Sequence, residues 1–398
     1  MSGSPARPRV IGNGRIVTDG HVVDDGLVVI ADGRIAYAGP ARSAGQALDT
    51  ARAAEEIDAR GGFICPGFID AHIHGGGGAD VMDATGDALV RIAVAHAAHG
   101  TTGFVATTMS APREQLLEAA HAVRRVHGAP TGGARVLGLH LEGPYINPRR
   151  AGAHNPEHLR PPDVRELAAV ARIAGPSLRT VTLAPELPGA RGAIEWLRRR
   201  GVQVSIGHTA ATYEEALAAV DAGARCATHL FNAMAGFHHR SPGCAAALLV
   251  DERVRVELVA DGVHVHPGAL RLAFRCKAAP GAMLVTDCMR ALGCPDGEYL
   301  LGDVPVVVHG GQARLRGDPG ALAGSLLTMD QAVRVMVERA EVPLADAVRM
   351  ATQTPAEALG IAGRFGRLAP GYEADVVVLE EDLTVSITMV AGEIVFWR

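Results

Sequence analysis

The chain has 398 residues, of which 48% are hydrophobic, 20% charged and 4% aromatic, with a formal net charge of −5. The apolar content excludes a collagen-like or disordered chain, and the length suffices for an α/β barrel of about 250 residues with an accessory unit. The acidic balance, without a basic run, argues against a nucleic-acid partner. No apolar stretch reaches the roughly 20 residues of a transmembrane helix, and residues 1–9 contain no apolar signal core, so we expect a cytoplasmic protein without a membrane partner.

The first 60 or so residues alternate short apolar runs with turn signals. Asn13-Gly14, Asp24-Asp25-Gly26 and Asp32-Gly33 separate these runs, and such sequences favour hairpin turns. The C-terminal end has the same pattern, with strands predicted over residues 375–379 and 386–390. Because neither end is long enough to bury a core alone, we expect both to form one small β-sandwich domain of residues 1–63 and 366–398.

Residues 64–365 alternate apolar strands with alanine-rich amphipathic helices, which predicts a parallel sheet, either open or closed into a barrel. Several strands end directly in His, Glu or Asp. This placement favours a (β/α)8 TIM-like barrel, because barrel active sites collect side chains from the C-terminal ends of many strands. An open dinucleotide-binding sheet is disfavoured, since the glycine run at residues 75–78 lacks G-x-G-x-x-G spacing. We predict strands over residues 103–107, 136–140, 180–184, 202–206 and 282–286, and helices over 113–126 and 213–222.

Histidines and one glutamate at predicted strand ends are candidate metal ligands. His72 and His74 are two apart, so they point to one side of a strand and can reach a single ion. Glu142 follows the strand predicted over residues 136–140. It is either a terminal or bridging metal ligand or a surface-loop carboxylate. His208 and His229 each end a strand, with one helix between them; together they suit half of a metal site, whereas each alone suits a structural histidine.

Two more polar positions suggest chemistry. Asp287 ends a late barrel strand, where a carboxylate beside a cation can take a proton from metal-bound water and return it to a leaving group; the alternative is a helix N-cap. Arg240 follows His238 and His239 in one loop. These three side chains suit a phosphate or carboxylate ligand, or they form an exposed cationic loop without a ligand.

In its ordered motifs the chain resembles the N-acetylglucosamine-6-phosphate deacetylase family of the amidohydrolase superfamily: PGFIDAHIH, LGLHLEGPYIN, GAHNP, TLAPE, IGHT, THLFNAM, ADGVH and LVTD. The resemblance extends from about Gly12 to the C-terminus. It implies a (β/α)8-type barrel with a β-sandwich made from both chain ends. It also implies metal-dependent hydrolysis of the N-acetyl group of N-acetylglucosamine 6-phosphate, giving glucosamine 6-phosphate and acetate in amino-sugar catabolism. The motifs leave open an enzyme for N-acetylgalactosamine 6-phosphate or for another N-acyl amine.

Carried over residue by residue, the resemblance implies that Glu142, His208 and His229 bind the main divalent metal and that Asp287 is the catalytic acid/base. The chain keeps His72 and His74, so we expect one or two ions per subunit, with Zn²⁺ first and Fe²⁺, Mn²⁺ or Co²⁺ as alternatives. Arg240 would bind the sugar phosphate across the interface of a homodimer. The implied substrate pocket consists of Ala153, His154, Asn232, Ala233, Asp261, Gly262, Val263, His264, Leu322, Ala323 and Gly324.

The lysine content separates this chain from many other amidohydrolases. Many binuclear members bridge their metals with a carbamylated lysine after a middle barrel strand, but Lys277 is the only lysine and lies too late in the chain. Glu142 is therefore the expected bridge. A non-catalytic barrel is the alternative from another class of protein, and it is disfavoured because Glu142, His208, His229 and Asp287 are all present.

Overall fold

The computed structural model describes residues 8–18, 20–49 and 54–398. In chain order the strands are β1 (Arg9–Thr18), β2 (His21–Ala31), β3 (Arg34–Pro40), β4 (Glu55–Asp58), β5 (Phe63–Pro66), β6 (Phe68–Ile73), β7 (Gly75–Gly76), β8 (Ala79–Asp80), β9 (Thr101–Thr107), β10 (Arg135–Glu142), β11 (Leu178–Leu183), β12 (Gln203–Ile206), β13 (Cys226–Ala227), β14 (Arg255–Val259), β15 (Ala282–Val285), β16 (Gly297–Leu301), β17 (Val304–His309), β18 (Gln312–Leu315), β19 (Asp318–Leu322), β20 (Val376–Leu379), β21 (Val385–Val390) and β22 (Glu393–Trp397). The α-helices are α1 (Gly45–Asp49), α2 (Gly86–Ala97), α3 (Arg113–Val126), α4 (Val164–Ala174), α5 (Ala190–Arg198), α6 (Tyr213–Ala222), α7 (Gly243–Val250), α8 (Pro267–Gly281), α9 (Met329–Glu338), α10 (Leu344–Ala351) and α11 (Gln353–Ala358).

Eight parallel strands form the barrel, in the order β6-β9-β10-β11-β12-β13-β14-β15. The first and last strands meet through a bridge between Ile73 and Cys288, and Asp287 N donates a hydrogen bond of 2.9 Å to His72 O. The strands are buried almost throughout, because helices cover a parallel sheet and leave it no solvated face. This architecture confirms the predicted TIM-like barrel, whose strand C-termini all lie at one end.

Local sequence signals set the helix boundaries. Helices α3 and α6 begin and end where the sequence predicted them. At the start of α6 the Thr212 side chain accepts from Glu215 N, while the Glu215 side chain accepts from Thr212 N. This reciprocal cap satisfies two backbone donors that the first turn leaves unpaired, and Gly223 follows the last residue at a φ of 129°. No helix in the described ranges is long and apolar enough to cross a membrane.

Strands from both chain ends form one further sheet, in the order β22-β21-β20-β5-β1-β2-β3, with β4 paired to β1. Strand β20 pairs antiparallel with β5, which joins the C-terminal strands to the N-terminal ones, and their inward side chains form a separate apolar core. The predicted unit built from both ends is thus confirmed as part of the fold, although β5 continues in this sheet to Pro66, beyond the predicted boundary at residue 63. Residues 1–7, 19 and 50–53 of that predicted domain lie outside the described residues.

Two of the three predicted hairpin turns are wrong. Asn13-Gly14 lies inside β1, where the pairing register with β2 shifts between Ile11 and Gly14, and Asn13 has a φ of 53°. Asp24-Asp25-Gly26 likewise lies inside β2. Positive φ suits a β-bulge as well as a turn, so these sequences mark bulges here. Only Asp32-Gly33 connects two strands, β2 and β3.

A four-stranded antiparallel sheet, β16 to β19, follows the last barrel strand and was not predicted. Its apolar side chains Leu301, Val306 and Val308 pack with Met109 and Met289 from the barrel loops. This inserted sheet therefore covers part of the C-terminal end of the barrel, where the polar strand ends lie.

Candidate active site

Six buried polar side chains converge at the C-terminal end of the barrel. They come from five strands or from the residues immediately after them, and each is at most 8% exposed: His72, His74, Glu142, His208, His229 and Asp287. The fold thus brings together every residue that the sequence suggested as a metal ligand, together with the suggested acid/base. Because they sit on different strands, only closure of the barrel can assemble them.

The Glu142 carboxylate lies between two histidine pairs. Glu142 Oε1 is 3.3 Å from His208 Nε2 and 3.1 Å from His229 Nε2, and these two nitrogens are 3.0 Å apart. Glu142 Oε2 is 3.2 Å from His72 Nε2 and 3.1 Å from His74 Nε2, which are 3.2 Å apart. The arrangement forms two triangles of ligand atoms that share one carboxylate.

The ring tautomers show that these triangles suit cations. In three of the four histidines, Nδ1 faces an oxygen that can only accept, so Nδ1 carries the proton and the Nε2 lone pair points into the cluster. Lone pairs about 3 Å apart repel one another unless a cation lies between them, and the edges of a tetrahedron around Zn²⁺ with bonds of about 2.0 Å are about 3.3 Å long. The residues present therefore fit a divalent ion in each triangle. The accepting oxygens are Glu257 Oε2 at 3.1 Å from His72, Thr107 O at 3.2 Å from His74 and Arg150 O at 2.9 Å from His208.

The electrostatics of the cluster agree with this interpretation. Burial disfavours every charged form here, but the attraction between Glu142 and the imidazoles outweighs it. This attraction lowers the pKa of Glu142 well below its ordinary value, and Asp287 together with Glu142 raises the pKa of His74 to about 9 against the effect of burial. A divalent cation would compete with protons for the same lone pairs, so metal binding would release protons.

Asp287 lies beside the second triangle. Its Oδ1 is 3.2 Å from His74 Nε2 and 3.5 Å from His72 Nε2, which is close enough for a third ligand of that set. Burial raises the pKa of Asp287, but the nearby charges of His72, His74 and His229 outweigh burial and hold the pKa below its ordinary value. The carboxylate is therefore ionised and lines the cavity above the cluster, so it can accept a proton there.

His154 approaches the cluster but differs from the other histidines. The backbone N–H of Ser110 donates to His154 Nδ1 at 3.0 Å, so the proton of the neutral ring is on Nε2. Burial lowers the pKa of His154 to about 4, which keeps the ring neutral. Its Nε2 lies 3.7 Å from Glu142 Oε2 and faces the cavity. In this tautomer His154 donates a hydrogen bond at the cluster, and with its other tautomer the ring would lie close enough to Glu142 and His208 to form a set of possible ligand atoms.

A cavity of about 610 Å³ opens above the cluster. Not all of the expected pocket residues line this cavity. The Asp261 carboxylate hydrogen-bonds to His264 Nδ1 at 2.6 Å instead. Val263 is exposed to solvent, and Ala323 is buried in the core of the inserted sheet. Gly262 does not line it either. The expected residues that do line the cavity are Ala153, His154, Asn232, Ala233, His264, Leu322 and Gly324.

Arg240 lies outside the cavity of its own chain. The side chain is exposed and contacts His239 Nε2 at 2.8 Å, in the loop next to the highly exposed Phe237. Arg240 therefore does not line the cavity above the cluster.

Several cavity residues were missed by the sequence analysis. Gly152 is the first residue of the GAHNP motif, and Arg149, Arg150 and Ala151 directly precede that motif, so their position beside Ala153 and His154 was a usable signal. The others come from the barrel loops or the inserted sheet, and no motif marked them: Met109, Leu301, Leu315, Asp318, Gly320 and Ala321.

Comparison with known proteins adds independent findings. Residues 63–395 match the model of the Amidohydrolase family. The chain is 44% identical to the N-acetylgalactosamine-6-phosphate deacetylase of Escherichia coli O157:H7, over 83% of this chain and 87% of that one. It is 40% identical to the N-acetylglucosamine-6-phosphate deacetylase of Lysinibacillus sphaericus, over 86% and 88% of the two chains. A mutant of the Mycobacterium smegmatis N-acetyl-D-glucosamine-6-phosphate deacetylase, crystallised with N-acetyl-D-glucosamine-6-phosphate, superposes with a TM-score of 0.91 at 38% identity, covering 99% of this chain and 100% of that chain.

Proposed function

Because the chain belongs to the amidohydrolase family, whose members are metal-dependent, we propose that it hydrolyses the N-acetyl group of N-acetylglucosamine 6-phosphate to glucosamine 6-phosphate and acetate. The observation that carries this proposal is the pair of ligand triangles sharing Glu142, with the ionised Asp287 beside them at the floor of a sugar-sized cavity. The similarity to deacetylases of amino-sugar phosphates supports the substrate class.

Glu142, His208 and His229 would hold one cation and His72 and His74 a second, and the Glu142 carboxylate would be shared between the two sets. Nitrogen and carboxylate ligands at tetrahedral edge lengths favour Zn²⁺, with Fe²⁺, Mn²⁺ or Co²⁺ as alternatives. A divalent cation bound there supplies Lewis acidity, which lowers the pKa of water and polarises an amide carbonyl.

The remaining chemistry belongs to Asp287 and His154. Asp287 takes a proton from the attacking water and delivers it to the departing amine nitrogen, since its carboxylate is ionised and faces the cavity. His154 donates its Nε2–H to the amide oxygen, whose negative charge grows as the carbonyl carbon becomes tetrahedral. His264 is the weaker candidate for this donor, because its Nδ1 is engaged by Asp261.

Phosphate recognition is proposed to require a homodimer. Arg240 is exposed beside Phe237 and carries a guanidinium that can bind phosphate through two hydrogen bonds. In a dimer it would reach the partner's cavity, while the sugar would contact Asn232 and Ala233 in its own chain. The pocket loops at residues 153–154, 261–264 and 322–324 would complete the sugar site, with Gly262, Val263 and Ala323 acting through the backbone.

The galactosamine epimer is the second candidate substrate. The relative from Escherichia coli O157:H7 carries that activity in its name and is 44% identical to this chain. The two substrates differ only in the orientation of one hydroxyl group. We favour the glucosamine epimer, because relatives named for it include both the Lysinibacillus enzyme and the structure solved with that sugar phosphate.

One experiment tests these assignments together. Acetate release is measured on both N-acetylated hexosamine 6-phosphates and on unphosphorylated N-acetylglucosamine, with the metal content of the same sample. We expect the highest kcat/KM on N-acetylglucosamine 6-phosphate. A higher value on the galactosamine epimer would reverse the substrate assignment, and equal values with and without phosphate would remove the role of Arg240.

We also propose a cytoplasmic location. A doubly charged sugar phosphate does not cross a bilayer unaided. An enzyme that uses it is therefore expected in the compartment in which the sugar is phosphorylated. Acetate-releasing activity should therefore fractionate with cytoplasmic marker enzymes, and activity in a periplasmic or secreted fraction would contradict this location.

A further inference from the structure

Glu257 is a buried carboxylate behind the cluster that neither the motifs nor the proposed mechanism uses. It lies on β14, is 1% exposed and has the apolar neighbours Val256 and Leu258 in the strand. One of its oxygens, Oε2, lies 3.1 Å from His72 Nδ1 and 3.2 Å from the backbone N of His229. Its side chain therefore contacts a residue from each of the two ligand triangles.

The Glu257 carboxylate has few partners besides His72. Burial of a carboxylate is unfavourable unless hydrogen bonds and charge compensate it. Among the described residues, His72 is the only ion-pair partner of Glu257, and Cys226 Sγ at 3.9 Å from Oε1 is a weak further donor. The cost of the buried charge is thus offset by the His72 imidazole and by the backbone N–H of His229.

We propose that Glu257 is the positioning residue for His72: it holds the proton on Nδ1 and fixes the ring plane, so that the Nε2 lone pair faces the second cation. This inference rests on the two-cation assignment made above. A carboxylate acceptor also makes the imidazole a stronger metal ligand, because it draws positive charge towards Nδ1–H.

The contacts predict an asymmetric effect on the two cations. The His229 loop keeps a second attachment, since Leu230 N donates to the backbone oxygen of Glu257 at 2.9 Å, and this bond does not depend on the side chain. His208 is oriented by Arg150 O instead. Removal of the Glu257 side chain should therefore weaken the cation held by His72 and His74 much more than the cation held by His208 and His229.

The test uses the full-length protein and the variants E257Q and E257L, with C226S as the matched control. C226S replaces a buried neighbour of Glu257 and leaves the His72 contact in place. Metal-free protein is titrated with Co²⁺, and the binding is monitored by the absorption spectrum of the bound ion. The amount of bound metal per chain is measured by mass spectrometry. Circular dichroism checks that each variant is folded.

We expect two ions in the wild type and in C226S. In E257L the second ion should bind about 10–100-fold more weakly, with the first ion little changed. E257Q should give a smaller loss, because an amide oxygen still accepts from Nδ1–H but carries no charge; it provides the test if E257L does not fold. If the folded variants bind the second ion with wild-type affinity, or if both ions bind equally more weakly, the role of Glu257 is overturned but the two-cation assignment is not. A wild type that takes up only one ion at saturation would overturn the two-cation assignment along with it.

Discussion

The substitution D287N tests the proton-transfer step most directly. Asparagine keeps the shape of the side chain and one accepting oxygen, but it cannot take a proton at neutral pH. A positioned general acid or base contributes about 10²–10⁴-fold to the rate, which corresponds to about 3–5 kcal/mol in the barrier. Because Asp287 is proposed to accept a proton and then to donate it, we expect the fall in kcat to lie at the upper end of this range.

The assay for D287N follows acetate release at saturating substrate, with bound metal determined in the same preparation. Substrate affinity is measured separately by calorimetry, and it should stay close to that of the wild type. D318N is the matched control, since Asp318 is another carboxylate that lines the cavity but lies on the exposed strand β19, away from the cluster. D318N should keep most of the wild-type kcat, which would show that loss of one negative charge from the cavity is not the cause.

Two outcomes separate the roles of Asp287. D287N with full metal content and kcat within about tenfold of the wild type would refute the assignment of Asp287 as acid and base. D287N that lacks one of two ions would instead identify Asp287 as a ligand, in keeping with its distance of 3.2 Å from His74 Nε2.

Three further predictions concern the proposed homodimer, the cluster and the buried His96 of α2. R240A should raise KM for the 6-phosphate about 10–100-fold, which corresponds to the loss of one charged hydrogen bond. Mixed dimers of one R240A subunit and one D287N subunit should recover turnover, because one of their two sites has both Arg240 and Asp287. Mixed dimers without turnover would contradict the action of Arg240 in the partner's site. A strong chelator should abolish acetate release and lower Tm, both restored by Zn²⁺, since ions that bind only the native state stabilise it; turnover that survives in metal-free protein would contradict the metal assignment. Burial lowers the pKa of His96 to about 4, although its Nε2 bonds Gly75 O at 2.9 Å. The folded protein therefore favours the neutral ring. This contribution to stability is fully present above the unfolded pKa of about 6.5 and is lost as the pH falls towards 4. In urea titrations, the free energy of unfolding should fall by about 2 kcal/mol more in the wild type than in H96Q between about pH 7 and about pH 5. An equal fall in both proteins would contradict this prediction.

The sequence allowed the barrel and the cluster of candidate ligands to be predicted because their signals are local. Each candidate ligand lies at or just after the end of an apolar strand, and the helices Arg113–Val126 and Tyr213–Ala222 carry their own periodicity and boundaries. Asn13-Gly14 could not be assigned, because a dipeptide that favours positive φ fits a bulge and a turn equally well. Glu257 could not be found either, since the histidine that it orients is 185 residues away in the chain.

Backbone strain is concentrated at three residues of the candidate site. His208, His229 and Asp287 have φ values of 48°, 28° and 53°, in the left-handed region that costs a non-glycine residue about 1–3 kcal/mol. This conformation turns each side chain inward just after its strand ends. Hydrogen bonds from neighbouring segments hold it: Asn147 N donates to His208 O at 3.0 Å, and Ser325 N donates to Asp287 O at 2.8 Å. A glycine at any of these positions would relieve the strain but lose the side chain. The strain is therefore located at residues proposed to carry the reaction, and hydrogen bonds from the segment after β10 and from the segment between β19 and α9 maintain it at His208 and Asp287.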